Sequence, residues 1–280
     1  MKISKVLNDA KEILEENNIS DSKQKARRLL AYLLNKSKEY LMIHEDEEIS
    51  DQMYNLYFEK IERLKNHEPL QYIIENQEFM GFDFYVDKNV LIPQPDTENL
   101  VEEVINIVEK NSLKQPRILD MCTGSGAIAI SLAKLVKGSI VYGSDISEEA
   151  LKIAENNSVS NQANVLFMKS DMFKNIFKEF RFNIIVSNPP YIETESIKNL
   201  SQEVQNEPRI ALDGGADGLK FYREIAENSK KFLEENGFLA LEIGYNQKEK
   251  VEEILKKNEF RNIYTRKDLA GINRVIVAQK

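Results

Sequence analysis

The fold is decided by the stretch Ile118-Leu119-Asp120-Met121-Cys122-Thr123-Gly124-Ser125-Gly126. Its apolar first residues predict a buried strand, Gly124 and Gly126 predict a tight turn, and the apolar residues that follow predict a helix. Glycines at such a turn let the backbone approach a ligand, and the helix N-terminus behind them favours polar or anionic groups. The spacing Gly124-x-Gly126-x-x-Ala129 also fits the dinucleotide-binding fingerprint, so an NAD enzyme stays open at this point.

Strands and helices alternate in the segments around this stretch. We predict strands at 117–121, 140–144, 165–168, 182–187 and 238–243, with helices at 126–136, 148–157 and 218–235. Two last strands, near 260–265 and 274–278, flank a helix at 248–257. This alternation predicts an α/β fold with a mostly parallel, doubly wound sheet. The segment 192–217 lacks strong periodicity, and we expect it to flank a substrate cleft.

Acidic side chains follow the next two predicted strands. At the end of the second strand, Asp145 can accept hydrogen bonds from both hydroxyls of an adenosine ribose. After the third strand, Asp171 can accept from the adenine amino group while Met172 or Phe173 packs on the purine. Asp120, just before the glycine turn, suits a cofactor with a cationic amino-acid tail better than a pyrophosphate, which a carboxylate repels. Asp145 fits the adenosine ribose of NAD or of S-adenosylmethionine, and it is Asp120 that favours S-adenosylmethionine.

The residues Asn188-Pro189-Pro190-Tyr191 come directly after the apolar strand 182–187. Neither proline has an N–H to donate, so the chain must leave the sheet here, at a strand's carboxyl end where open α/β sheets bind ligands. The Asn188 amide oxygen and the Pro189 carbonyl can accept the two protons of a planar –NH2 group, and the Tyr191 ring can stack on its face. The turn therefore predicts a cradle for a planar –NH2 group, with a helix-capping Asn in a tight turn as the alternative.

The composition limits the remaining classes of function. The net charge is −8 with a pI near 5.2, and no block of basic residues is present, which argues against a nucleic acid as main substrate. The single cysteine, Cys122, excludes an internal disulfide, and the two histidines lie in polar sequence, so we predict no metal site. With no histidine near Cys122, we interpret this residue as a small side chain that fits the turn. No signal peptide or membrane-length apolar run is evident, so we expect a cytoplasmic protein.

Residues 1–76 show helical periodicity instead. Apolar residues recur at spacings of three and four near 3–14, 26–34 and 53–64, which predicts a small helical bundle. Residues 77–92 predict a β-hairpin, with its turn at 87–89 and its second strand at 90–92, that links this bundle to a domain at 93–280. We expect Asp96 or Thr97 to cap the helix that follows.

Motifs along nearly the whole chain carry a family resemblance. They lie at 68–73, 91–98, 119–128, 187–192, 207–209, 211–212, 214–219, 242–244 and 267–271, with Arg274. By these motifs the chain resembles the class I S-adenosylmethionine-dependent methyltransferases and, within them, the protein-(glutamine-N5) methyltransferases of peptide chain release factors. The chain departs from that family at Gln94, where Arg is usual, and at Glu75, where Gly is usual. From Glu75 we expect a turn that is not left-handed, and Gln94 removes a fixed charge near the expected substrate entrance.

The resemblance implies a Rossmann-like, seven-stranded, mostly parallel sheet and an N-terminal bundle that docks a protein substrate. It implies methyl transfer from S-adenosylmethionine to the side-chain nitrogen (N5) of the glutamine in a release factor's Gly-Gly-Gln motif, with S-adenosylhomocysteine as the other product. The expected catalytic residues are Asn188, Pro189 and Tyr191, and Pro190 joins them in holding the substrate. The expected cofactor-binding residues are Asp120, Met121, Cys122, Thr123, Gly124, Ser125, Gly126, Asp145, Asp171, Met172, Phe173 and Asn188.

Three alternatives stay open. A methyltransferase acting on an adenine or guanine amino group would use the same turn on a flipped base. A non-catalytic cofactor-binding module needs the glycine turn but not Asn188 and Tyr191, and an NAD oxidoreductase gives the turn at 188–191 no role. We expect release factors as partners, no membrane partner, no nucleic acid as direct substrate, and a monomeric protein.

Overall fold

The computed structural model describes residues 1–280 and divides into two compact units. The helical unit consists of Met1–Asn76 together with the short segment Ser201–Asn206. The sheet unit consists of Gln77–Leu200 and Glu207–Lys280. None of the helices combines the length and the apolar character that a membrane crossing requires.

The elements are numbered in chain order. The helices are α1 (Ile3–Glu16), α2 (Ser22–Leu33), α3 (Lys38–Ile43), α4 (Asp51–Lys65), α5 (Leu70–Ile74), α6 (Pro95–Lys110), α7 (Ala127–Leu135), α8 (Glu148–Ser160), α9 (Gln202–Gln205), α10 (Arg209–Leu212), α11 (Lys220–Ser229) and α12 (Lys248–Lys257). The strands are β1 (Gln77–Phe79), β2 (Phe82–Phe84), β3 (Arg117–Met121), β4 (Ile140–Asp145), β5 (Val165–Lys169), β6 (Phe182–Ser187), β7 (Leu233–Glu242), β8 (Arg261–Lys267) and β9 (Asn273–Gln279).

The helical unit forms around one apolar core. The apolar stripes of α1, α2 and α4 meet there, and Leu14 and Leu29 are fully buried. The Ser50 hydroxyl accepts a hydrogen bond from the first turn of α4, as an N-cap should. An ion pair between Lys25 and Glu203 ties the later segment, which contains α9, to α2.

The sheet of the sheet unit has seven strands in the order β5-β4-β3-β6-β7-β9-β8. Strands β3 to β7 are parallel, whereas β9 pairs antiparallel with both β7 and β8. Leu119 and Met121 pack in one apolar core and Ile118 in another, because alternate strand residues point to opposite faces. This sheet confirms the predicted α/β fold. The strand order reverses between β3 and β6, and ligands bind outside the carboxyl ends of strands at such a switch point.

The hairpin forms, but its predicted turn was wrong. The strands β1 and β2 are joined by Met80 and Gly81, and residues 90–92 form no strand. Both turn residues have positive φ, 52° at Met80 and 77° at Gly81. A two-residue turn of this kind matches the twist of the paired strands, which is why it prevails over the polar residues at 87–89.

Three further expectations about element ends were also wrong. Helix α6 begins at Pro95 with Gln94 as N-cap, rather than being capped by Asp96 or Thr97, because proline fits the first helical position without needing an N–H. Glu75 does adopt the left-handed conformation, with φ 54°, at the C-terminus of α5. The helix predicted at 218–235 ends at Ser229, since Leu233 already pairs with Phe182 in the sheet.

Candidate active site

A cavity of about 320 Å³ lies at the carboxyl ends of β3, β4 and β6. Eight of the predicted site residues line it: Met121, Cys122, Gly124, Asp145, Asp171, Met172, Asn188 and Pro190. The predicted residues that do not line it are Asp120, Thr123, Ser125, Gly126, Phe173, Pro189 and Tyr191. We call 122–126 the glycine loop and 188–191 the acceptor turn.

Asp120 lies beneath the glycine loop and is fully buried. Its Oδ2 accepts hydrogen bonds from the Thr123 hydroxyl at 2.5 Å and from the Ala129 N–H at 3.2 Å. Its Oδ1 has no hydrogen-bond partner, and burial raises the pKa of this carboxyl to about 7. Asp120 therefore holds the loop against the start of α7 from below.

The glycine loop itself is closely packed. Gly126 has φ 81°, and a Cβ there would lie 3.0 Å from the Ile130 side chain and 3.1 Å from that of Ala154. Burial and the nearby Asp145 raise the pKa of the Cys122 thiol, so this sulfur stays protonated. A protonated thiol without a neighbouring base agrees with the interpretation of Cys122 as a small side chain.

Asp145, the last residue of β4, lines the cavity as predicted. Its Oδ2 accepts from the Gly124 N–H and its Oδ1 from the Ser147 N–H, both at 2.9 Å. Burial raises its pKa despite these bonds. Each carboxylate oxygen keeps further acceptor capacity, so Asp145 can bind two hydroxyl groups at once.

The loop after β5 presents a different mixture of groups. Asp171 lines the cavity at its exposed edge and forms an ion pair with Lys174. Met172 is buried, has φ 50° and lines the cavity. Phe173 instead stacks on Phe232 with ring centroids 5.0 Å apart, so the thioether of Met172 supplies the apolar surface here.

The acceptor turn lies at the end of β6, next to β3. Asn188 lines the cavity, and its Nδ2 donates to the Thr97 hydroxyl at 3.2 Å. The Tyr191 hydroxyl lies 3.4 Å from Glu242 Oε1, and neither residue lines the cavity. The Ser187 hydroxyl donates to the Met121 carbonyl at 2.6 Å and joins this end of β6 to the glycine loop's strand.

Two glycines and an amide fix the backbone of the acceptor turn. A Cβ at Gly214 would lie 2.7 Å from the Tyr191 Cα, and one at Gly218 would lie 2.4 Å from the Tyr191 oxygen. Gln247 Nε2 donates to the Tyr191 carbonyl at 2.9 Å. Only residues without a side chain fit at these two positions, which explains Gly214 and Gly218.

Sequence reasoning missed several residues of the cavity wall. Some lie at a predicted strand end or within six residues after it and were within reach of the same argument: Ser144, Ile146, Ser147, Ala150 and Ser170. Others come from distant segments and have no local signal: Asn89, Val90, Leu91, Lys220 and Phe221. Ile210 and Ala211 also line the cavity and lie in the segment that we expected to flank the cleft.

Family models and curated relatives match this chain along both of its units. Two family models match, the PrmC N-terminal domain at residues 5–74 and the methyltransferase small domain at residues 102–216. Release factor glutamine methyltransferases of Clostridium acetobutylicum and of Thermodesulfovibrio yellowstonii are each 42% identical to this chain, and each match covers 99% of this chain and 98% of the relative. A 16S rRNA N2 G1207 methyltransferase of T. thermophilus, solved with AdoMet and guanosine, shares the fold, with a TM-score of 0.54 and 20% identity over 73% of this chain and 49% of that one.

Proposed function

This chain belongs to the release factor glutamine methyltransferases, and we propose that it methylates the side-chain nitrogen of the glutamine in the Gly-Gly-Gln motif of peptide chain release factors. The observation that carries the proposal is the position of Asn188. Its amide lines the cavity at the switch point between β3 and β6, beside the acidic and apolar groups expected for the cofactor.

The residues of the cofactor side fit S-adenosylmethionine. The two Asp145 oxygens, which each hold one backbone N–H, are proposed to accept the two ribose hydroxyls. Met172 offers apolar surface for the purine, and Asp171 offers an acceptor at the cavity edge. When bound, this cofactor supplies an electrophilic methyl carbon on a sulfonium sulfur. Asp120 is proposed to act from beneath the loop, because it is fully buried and its Oδ2 is engaged by Thr123 and Ala129.

The acceptor side is proposed to orient an amide nitrogen, which is a poor nucleophile because its lone pair is delocalised into the carbonyl. Asn188 Oδ1 and the Pro189 carbonyl accept its two N–H groups and turn the lone pair toward the methyl carbon. With the methyl donor bound, the nitrogen would take the methyl group as the C–S electron pair returned to sulfur, and the resulting N-methyl amide cation would lose an N–H proton to solvent. Both acceptors stabilise positive charge that develops on nitrogen. Tyr191, held at its hydroxyl by Glu242, is proposed to border the amide plane.

The helical unit completes the proposal as the docking surface for a folded substrate. The family model that matches residues 5–74 covers nearly all of that unit's N-terminal part. We further propose a monomer that acts on protein rather than on nucleic acid, in agreement with the net charge of −8.

A labelled methyl-transfer assay tests this function. The protein receives S-adenosylmethionine carrying a radioactive methyl group together with a release factor, with the same factor in which the Gly-Gly-Gln glutamine is alanine, or with DNA or RNA. We expect label on the unmodified factor alone. Label on nucleic acid, or equal label on the alanine variant, would contradict the proposal.

A further inference from the structure

Glu207 is a buried carboxylate of the sheet unit that the proposed mechanism does not use. It is only 7% exposed, and its Oε2 accepts a hydrogen bond from the Ile92 N–H at 2.9 Å. Burial raises the pKa of this carboxyl to about 7, against the opposing effect of that hydrogen bond. A buried carboxylate is costly to keep in a fold, and such groups often mark functional sites.

The hydrogen bond between Glu207 and Ile92 joins two segments that line the cavity. Residues 89–91, directly before Ile92, belong to the lining, and so do Ile210 and Ala211, shortly after Glu207. An N–H that donates to a carboxylate makes a stronger hydrogen bond than one between neutral groups. This contact therefore fixes one lining segment relative to the other.

From Ile92, a series of hydrogen bonds leads to Asn188. The Ile92 carbonyl accepts from Gln94 Nε2 at 3.0 Å, and the Gln94 carbonyl accepts from the Thr97 N–H at 3.0 Å. The buried Thr97 hydroxyl accepts in turn from Asn188 Nδ2 at 3.2 Å. The Asn188 side chain in the cavity lining is therefore connected to the buried Glu207 through residues that contact one another directly.

The backbone of residues 92–97, which we call the link segment, has few free rotations. Pro93 and Pro95 have a fixed φ angle, and α6 begins at the second of these prolines. The Gln94 side chain makes no hydrogen bond to the helix that it precedes, because it reaches back to the start of the link segment. A displacement at that start should therefore be passed to the first turn of α6, where Thr97 lies.

The series gives a role to Gln94, one of the two positions where the chain departs from its family. The sequence suggested only the loss of a fixed charge near the substrate entrance. In the structure, the Gln94 amide holds the Ile92 carbonyl. Gln94 is exposed, so its contribution should be smaller than that of the buried Glu207.

Resting on the proposed function, we propose that Glu207 is a positioning residue for methyl transfer, with Gln94 as its support. Glu207 holds the link segment, the link segment places the Thr97 hydroxyl, and this hydroxyl engages Asn188 Nδ2. The Asn188 Oδ1 is left free to accept from the substrate amide nitrogen. If Thr97 shifted, the Asn188 side chain would be free to rotate, and the substrate amide would lose a fixed acceptor.

Two variants separate the contact of Glu207 from its charge. Glu207→Asp keeps the charge but is one carbon shorter, which withdraws the acceptor from Ile92, so kcat should fall about 10- to 100-fold, a range typical of lost groups that orient a site residue. Glu207→Gln removes the charge but keeps an oxygen acceptor at the same length, so kcat should stay within about 3-fold of the wild type. The affinity for S-adenosylhomocysteine should stay near normal in both, because Asp145 and the glycine loop are not altered.

Glu103→Asp is the matched control for a purely structural loss. Glu103 is also a buried carboxylate, lies further along α6, and contacts Tyr264 and Arg266. Its shortening should lower the unfolding temperature and leave kcat unchanged. A wild-type kcat in Glu207→Asp, an equal loss in Glu207→Gln, or an equal loss in Glu103→Asp would overturn the proposal.

A variant at an exposed position keeps the test decisive if Glu207→Asp does not fold. Gln94→Ala removes only the hydrogen bond to the Ile92 carbonyl, so kcat should fall about 2- to 10-fold, as expected for one ordinary hydrogen bond, with cofactor-product affinity unchanged. A wild-type kcat in Gln94→Ala, together with a Glu207→Asp protein that does not fold, would leave Glu207 a structural residue only and overturn the proposal.

NMR spectroscopy keeps this test separate from that of the proposed function. The Asn188 side-chain amide signal, assigned by its absence from the spectrum of Asn188→Asp, should shift in Glu207→Asp but not in Glu207→Gln, whether or not a release factor is methylated. The Ile92 N–H should exchange with solvent faster in Glu207→Asp alone. Faster Ile92 exchange with an unmoved Asn188 signal would contradict the connection, whereas failure to label any release factor would contradict only the function.

Discussion

The two sides of the cavity hold their polar groups in different ways. On the cofactor side, the charged group itself lines the cavity, since Asp145 is held there by the N–H groups of Gly124 and Ser147. On the acceptor side, the neutral Asn188 lines the cavity, and its Nδ2 donates to the hydroxyl of the buried Thr97. A charged acceptor suits tight binding of hydroxyls, whereas a neutral amide held by a hydroxyl suits the orientation of another amide. Changes on the first side should therefore alter binding, and changes on the second should alter turnover.

The largest effect is expected for Asn188→Ala. Loss of the amide oxygen removes an acceptor that acts as charge develops, so turnover should fall about 100-fold or more. The affinity for S-adenosylhomocysteine, measured by isothermal titration, should change little. Asn183→Ala is a matched control at the opposite end of β6, where Asn183 Oδ1 only accepts from the Arg117 N–H. Near-normal turnover of Asn188→Ala would contradict the assignment of turnover to the acceptor side of the cavity.

The second test changes the cofactor side, where we expect the affinity for the cofactor product to fall and turnover to stay near normal. Asp145→Asn loses one charged acceptor on the cofactor side, and hydrogen bonds to a charged group contribute about 1.5–3 kcal/mol. The dissociation constant of S-adenosylhomocysteine should rise about 10- to 100-fold, with kcat at saturating cofactor near that of the wild type. Asp46→Asn, at a highly exposed aspartate paired only with Lys2, should leave both quantities unchanged. If Asp145→Asn lowered kcat but not affinity, the two sides would not differ as described.

A smaller loss of turnover is expected for Gly214→Ala. The added Cβ overlaps the Tyr191 backbone, so the acceptor turn must shift, and we expect a roughly 10-fold lower kcat together with about 1–3 kcal/mol lower stability. Gly271→Ala is the control, because its Cβ meets open space and only the φ of 82° is unfavourable. That control should lose about 1 kcal/mol of stability and no activity. Equal kcat in the two variants would show that the acceptor turn tolerates displacement.

The smallest expected effect is a dependence of the stability of the fold on pH, caused by two buried carboxyl groups. Burial raises the pKa of Asp120 and of Glu242 to about 7, well above their unfolded values of about 4. Between those values the folded state binds more protons than the unfolded state, so stability should fall as pH rises from about 4 to 7. Urea unfolding should show a lower midpoint at pH 8 than at pH 5.5, and the free energy of unfolding in water should be lower by about 1–3 kcal/mol per carboxyl. Asp120→Asn should flatten the difference, and a midpoint that rises with pH would contradict the assignment.

The difference between the cofactor side and the acceptor side also explains which residues could be predicted from the sequence. The glycine loop, Asp145 and Asn188 each follow directly on an apolar strand, so the strand pattern alone placed them at one edge of the sheet. Parallel strands bring their carboxyl ends together whatever lies between them in the chain. For this reason the fold and much of the cofactor side were accessible before the structure.

The side chains that hold the acceptor turn in place could not be predicted from the strand pattern. Thr97 was expected to be a helix cap, and nothing in the local sequence signals that its hydroxyl meets Asn188. This contact depends on how α6 packs near the end of β6, over a separation of 91 residues in the chain. The turn at Met80 and Gly81 was missed for a different reason. Glycine is a common signal of a left-handed position, but methionine is not, so the first residue of the turn gave no sign of it.

The central claim is that the acceptor turn delivers a methyl group to a glutamine amide. The most direct measurement is peptide mass spectrometry of a release factor incubated with S-adenosylmethionine and either wild-type protein or Asn188→Ala. We predict one added methyl group on the glutamine of the Gly-Gly-Gln peptide with the wild type, and almost none with the variant. A methyl group on another residue, or equal modification by both proteins, would contradict the account.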